Sequence, residues 1–179
     1  MKRVTLWLLG ATVLTSCITP ESAPVFVFPE HFEAIQAIRF ESENSTKNFV
    51  ANLQKKGAGE FQVTLLEPLM QIALLSMEYN DGKTRATFYA KELEKQFPAE
   101  HLMQLLVALY SEKSYKKDEK ANDLVAQKYR HVFRLQNIRT QETCPFPHLI
   151  FIAPQTLKPH FVLRAETLEL RCLPSPPSS

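Results

Sequence analysis

Short runs of residues that alternate apolar and polar with a period of two, one after another, constrain this chain more than any other feature. Phe49, Ala51 and Leu53 stand at a strict spacing of two, and so do Phe61, Val63 and Leu65. In an extended backbone such residues share one face while their neighbours take the other. Residues 46–55 and 61–65 therefore read as strands with one buried face. Residues 34–42 form a less regular strand around Ala37, Ile38 and Phe40, and residues 72–77 form a denser apolar one. Gly57 to Gly59 is a turn. Asn80-Asp81-Gly82 is a second and stronger one, because Asp-Gly supplies the positive φ angles of a tight hairpin. Residues 84–90 then return beside residues 72–77.

The period changes after Pro98. Leu102, Leu105, Leu106 and Leu109 recur at spacings of three and four, which places them on one helix face. Pro98 suits the helix start because its missing N–H would be unpaired there anyway. Residues 111–123 are rich in charge and read as a solvated loop or frayed helix end, with a mobile flap over a ligand as the alternative. Strands resume over 129–139. Residues 148–153 and 160–171 form a last hairpin around a connection at 154–159. This order predicts a mainly β, α+β fold: a curved antiparallel sheet forming an unclosed half-barrel, with a helical lid on one face.

The N-terminus predicts export. Lys2 and Arg3 precede an apolar run, residues 4–14, centred on Trp7, Leu8 and Leu9. A permanent span needs about 20 apolar residues, whereas the apolar region of a secretory signal needs about 7–15. Leu14-Thr15-Ser16-Cys17 then resembles a lipobox. Residues 1–16 are expected to be a cleaved signal peptide, and Cys17 the site of lipid attachment, including palmitate. Ile18, rather than an aspartate, follows the cysteine, which gives the outer membrane, periplasmic face, as the expected address. Residues 17–30, with Pro20, Pro24 and Pro29, read as a lipidated tether. Residues 31–173 read as the folded domain and 174–179 as a disordered tail.

Composition narrows the function classes. The chain has 179 residues, and the 163 that follow the signal suffice for one domain with a real core. Lys and Arg total 21 against 19 Asp and Glu, and two of the basic residues lie in the signal. The balanced remainder lacks the basic footprint of a nucleic-acid binder. Only 4 glycines are present, and no Gly-rich phosphate loop occurs. The sequence holds no G-x-S-x-G or H-E-x-x-H motif, and His31, His101, His131, His148 and His160 are scattered. The expectation is a protein that is not an enzyme and uses neither cofactor nor metal. Cys144 and Cys172 flank the last hairpin, with their midpoint at residue 158 inside its connection. Antiparallel pairing would bring them nearly opposite each other. A disulfide and two buried thiols both fit, and the separation decides.

Apolar residues are in surplus. Ile72, Leu74, Leu75 and Met77 crowd one strand, and Phe146, Leu149, Phe151 and Ile152 another. They either complete the core or line a cavity, since ligand sites are concave and mostly apolar. By face and helix position, the candidate lining residues are Phe49, Phe61, Val63, Leu74, Met77, Leu105 and Leu109.

Three segments carry a resemblance to a known family. Residues 61–76 are two apolar strands joined by a loop bearing Pro68-Leu69, residues 97–110 are a helix after a proline, and a series of strands follows from Tyr129. Together they resemble the LolA/LolB-like periplasmic lipoprotein carriers, and the outer-membrane receptor branch in particular. The chain is also similar to an uncharacterised outer-membrane lipoprotein family often encoded with aryl polyene pigment biosynthesis. The resemblance covers most of residues 34–172, as pattern more than identity. It implies an apolar cavity for acyl chains and no cofactor. It also implies a membrane-delivery loop at Pro68, Leu69 and Met70, in which Leu69 matches an outward-pointing leucine. The receptors have a small residue after that leucine, so Met70 makes this apex larger. The implied partners are a membrane, through the N-terminal lipid, an acyl-chain or lipoprotein cargo and a periplasmic carrier protein. A scaffold lipoprotein, or an accessory subunit of an envelope lipid or pigment pathway, is the competing reading.

Overall fold

A computed structural model describes residues 26–43, 45–57, 59–91, 98–113, 115–118, 121, 123–141, 144–155 and 161–174. The expected signal peptide, the expected lipid site Cys17, the first part of the expected tether, His160 and residues 175–179 lie outside them. The strands are β1 (His31–Ser42), β2 (Ser45–Lys56), β3 (Glu60–Leu66), β4 (Ala73–Asn80), β5 (Lys83–Tyr89), β6 (Lys116–Asp118), β7 (Asp123–Lys128), β8 (His131–Gln141), β9 (Cys144–Pro154) and β10 (Phe161–Cys172). The helix α1 (Ala99–Ser111) follows β5. All ten strands join one antiparallel sheet in the order β5-β4-β3-β2-β1-β10-β9-β8-β7-β6. The first and last strands therefore meet at its centre, and α1 lies in the connection between its two edges. The sheet does not close, and α1 covers its concave face as a lid.

Alternation sets the faces. In β1, Phe32, Ala34, Gln36 and Ile38 are buried in strict alternation, and Phe49, Ala51, Leu53 and Lys55 are buried the same way in β2. The register sets Ile38 against Phe49 and Ala34 against Leu53, so these faces coincide. Irregularities in register curl the sheet. They fall between Ile35 and Gln36 opposite β10, between Leu65 and Leu66 opposite β4, and between Ser76 and Met77 opposite β5. Each puts an extra residue into one strand, which bends it and increases its twist.

Proline explains the short pairing of β9 with β10. β9 carries Pro145 and Pro147, which cannot donate a backbone hydrogen bond. Pairing of β9 with β10 is confined to Leu149–Ile152 against Leu163–Glu166. Beyond it the Thr167 hydroxyl donates to the Pro147 carbonyl at 2.9 Å. Cys144 and Cys172 then form a disulfide across a Cα separation of 6.2 Å, which holds the splayed strand ends together.

Three boundaries differ from the sequence reading. Phe26 and Phe28, expected in the tether, are buried, so the domain extends back to residue 26. Their rings fill the gap beside β9: Phe28 packs on Tyr110 at 4.9 Å and Phe146 at 5.2 Å, and Phe26 on Tyr115 at 6.0 Å. The charge-rich segment 111–123 is not simply a solvated loop, because Glu112, Tyr115 and Asp123 are buried and Lys116–Asp118 is an edge strand. Tyr115 donates its hydroxyl to the Leu109 carbonyl at 2.8 Å and so folds the segment back under the helix. The strand expected over 129–139 begins at His131. Tyr129 and Arg130 form the tight turn after β7, with φ of 51° and 63°.

Candidate functional site

An apolar cleft runs between the lid and the concave face. Its sheet wall is Ile38 and Phe40 of β1, Phe49 of β2, Leu65 of β3 and Leu163 of β10, and its lid wall is Leu102 and Leu106 of α1. The local reasons are simple. Ile38 and Phe40 are two apart on one strand and pair across it with Ala165 and Leu163. Leu102 and Leu106 are one helical turn apart and so lie one above the other. Every lining side chain is hydrocarbon. Counted out to solvent, the cleft holds about 430 Å³ of empty space, of which about 30 Å³ is wide enough for the centre of a water molecule. That is room for about two waters, so the lid sits closed on the sheet.

The two ends of the lid are held differently. At its C-terminal end, Lys55 Nζ donates to the Tyr110 carbonyl at 3.0 Å and the Pro29 carbonyl at 3.2 Å. Tyr110 donates its hydroxyl to Gln36 Oε1 at 2.9 Å, and Gln36 Nε2 donates to Thr167 Oγ1 at 3.1 Å. Burial lowers the pKa of the Lys55 ammonium, and burial raises the Tyr110 and Tyr115 phenols well above their usual range. Near the N-terminal end, Pro98 provides no side-chain cap. There the His101 ring lies 5.9 Å from His131, whose ring lies 5.6 Å from Phe161, which stacks on Phe40 at 5.3 Å.

An apolar loop stands at the same end of the sheet. β3 ends at Leu66, level with Val50, and the chain continues past it toward the β1–β2 turn, the end where Phe40 and Phe49 line the cleft. Pro68 is partly buried there, while Leu69, Met70 and Ile72 are 90%, 72% and 52% exposed. Gln71 takes a φ of 57° to turn the chain back into β4.

Of the lining residues expected from sequence, Phe49 is in the cleft. Phe61, Val63, Met77, Leu105 and Leu109 pack in the core, and Leu74 is half-buried against it. Phe61 stacks on Tyr110 at 5.4 Å, toward the opposite end. Ile38, Phe40, Leu65, Leu102, Leu106 and Leu163 were not among the expected lining. The signal that finds the two leucines is the spacing of four between Leu102 and Leu106, one stripe away from Leu105 and Leu109. Among the described residues no group of three or more His, Cys, Asp or Glu is placed to hold a metal ion, and no helix is long and apolar enough to cross a membrane.

No family model and no curated protein sequence matches the chain. Solved structures do. A LolA superfamily protein from Nitrosomonas europaea is similar over 86% of this chain and 91% of its own, at 10% identity and a TM-score of 0.52. An outer membrane lipoprotein-sorting protein domain from Vibrio parahaemolyticus is similar over 79% of this chain and 85% of its own, at 8% identity and a TM-score of 0.48.

Proposed function

We propose that this chain, whose fold is that of the LolA/LolB-like half-barrels, is an outer-membrane lipoprotein of the periplasm. In this reading it is anchored through lipid on Cys17. It takes the acyl chains of a lipoprotein or lipid-linked product between lid and sheet and assists their transfer to the outer membrane. The observation that carries the reading is the cleft lined only by hydrocarbon side chains, toward the end of the sheet that bears exposed Leu69 and Met70. Such a cleft offers no hydrogen bond, so what it binds is recognised by its methylenes, each worth about 0.8 kcal/mol when buried. The loop Pro68-Leu69-Met70, at that end of the sheet, is the delivery element. Its partners are the membrane, the cargo and a periplasmic carrier protein that hands the cargo over.

The narrowness of the cleft favours a second reading, a scaffold lipoprotein whose half-barrel is filled by its own side chains. Native mass spectrometry separates the two. The protein carrying Cys17→Ser, which removes the anchor, is purified from its own host without detergent. A co-purifying lipid or lipopeptide supports the carrier. An empty protein that also ignores added lipopeptide supports the scaffold.

A further inference from the structure

The apex of the β3–β4 loop is organised by a side chain that the reading above leaves without a role. One carboxylate oxygen of Glu67 accepts hydrogen bonds from two backbone amides, Leu69 N–H at 2.9 Å and Met70 N–H at 2.6 Å. The main chain of Glu67 closes the same loop. Its amide donates to the Ile72 carbonyl at 2.9 Å, and its carbonyl accepts from Gln71 N–H at 3.0 Å. The polar backbone of the loop is thereby turned inward on one residue, and the side chains of Leu69, Met70 and Ile72 are left outward.

A loop whose apex side chains enter lipid, with the Glu67 carboxylate left at the water interface, gains from this arrangement. An amide that loses water without gaining a partner costs about 1–3 kcal/mol, and ordering a free loop at the surface adds backbone entropy to that cost. Here both apex amides already have an acceptor. The occupant that fits is a phospholipid surface. The outward side chains of the apex are apolar and exposed, which suits a fluid apolar phase that makes no directional bonds.

We propose that Glu67 is a positioning residue that preorganises the Leu69, Met70 and Ile72 apex for insertion into a phospholipid surface, its carboxylate oxygen replacing water on the two apex amides. The proposal rests on the delivery role given to this loop above.

The test uses the mature, lipidated protein in vesicles of phosphatidylethanolamine and phosphatidylglycerol. An environment-sensitive fluorophore is attached at Ile72→Cys, and iodide in the water reports the exposure of the label. With Glu67 present the label is expected to be shielded. Glu67→Ala raises iodide quenching about three- to tenfold, the range that corresponds to about 1 kcal/mol of apex order. Glu67→Gln, whose amide oxygen still accepts, restores shielding. Shielding that survives Glu67→Ala while Leu69→Glu abolishes it overturns the proposal and leaves the delivery loop standing. Failure of Glu67→Gln to restore shielding also overturns the proposal, because the acceptor is then not the cause. Shielding that survives Leu69→Glu removes the delivery loop itself. Binding of a fluorescent fatty acid in the cleft, measured in parallel, stays unchanged in Glu67→Ala. Its loss would assign the effect to general unfolding and overturn a local role.

Discussion

Lys55 shows how much one side chain holds together. It lies in β2 on the buried face, in phase with Phe49, Ala51 and Leu53, where alternation alone calls for an apolar residue. It is there because two carbonyls, Pro29 and Tyr110, converge on it. Lys55→Ala takes the donor from both, leaving the Tyr110 carbonyl in a buried site, and the expected loss is about 1–3 kcal/mol in urea unfolding. Tyr110 and Tyr115 make a second prediction. Burial holds both phenols neutral in the folded state at pH values where the unfolded chain ionises them, near 10. Raised folded pKa values give stability that is complete below that pH and lost as the pH climbs above it. Unfolding midpoints measured on either side of pH 10 should fall on the alkaline side, and Tyr115→Phe should make the fall shallower. None of these roles was legible in the sequence. A lysine, two tyrosines and Gln36 carry no local pattern that says their partners lie on other elements, up to 131 residues away.

At the scale of elements, most of the sheet was legible. β2, β3 and the hairpin of β4 and β5 follow from period-two runs and from Asp81-Gly82, whose φ angles of 46° and 83° are those the dipeptide predicts. α1 follows from its leucines. β7 was lost because its turn, Tyr129-Arg130, uses positive φ without glycine or asparagine. β6 was lost because averaging over a charged run hides one buried Tyr115. The cleft was legible in kind but only partly in membership, since two adjacent leucine stripes on one helix cannot be told apart until the sheet beneath them is known. Two predictions belong here. The disulfide closes a loop with a sequence separation of 28, so its reduction should cost about 3–4 kcal/mol in denaturant unfolding. The lid is tied by Lys55 and Tyr110 at its C-terminal end, so it should open from the other end. Hydrogen exchange should be faster at the amides of Leu102–Leu106 than at those of Ala108–Ser111, and added lipopeptide should widen the difference.

For the whole molecule, the carrier reading makes a quantitative demand. If affinity comes from methylenes alone, each one added to a fatty-acid probe should tighten binding by about 0.8 kcal/mol, or roughly fourfold, until the cleft is filled. A chain-length series read by fluorescence displacement checks this. Affinity that does not change with length would count against the hydrocarbon cleft as the site. The pairing of β1 with β10, Phe32 against Cys172 through Ser42 against Phe161, has a separate consequence for how such a chain is made. The middle of the sheet is supplied by the two ends of the domain. A polypeptide threaded N-terminus first through a translocation channel cannot complete that seam until its last strand has emerged. Until then the inner edge of β1 has no neighbour, and unpaired edges invite pairing with other chains. If the chain is exported, as the carrier reading has it, the topology postpones the native state to the end of translocation. On that reading it keeps the chain in the unfolded form that a narrow channel requires, at the cost of a slow, nonlocal closing step that a periplasmic chaperone is suited to protect.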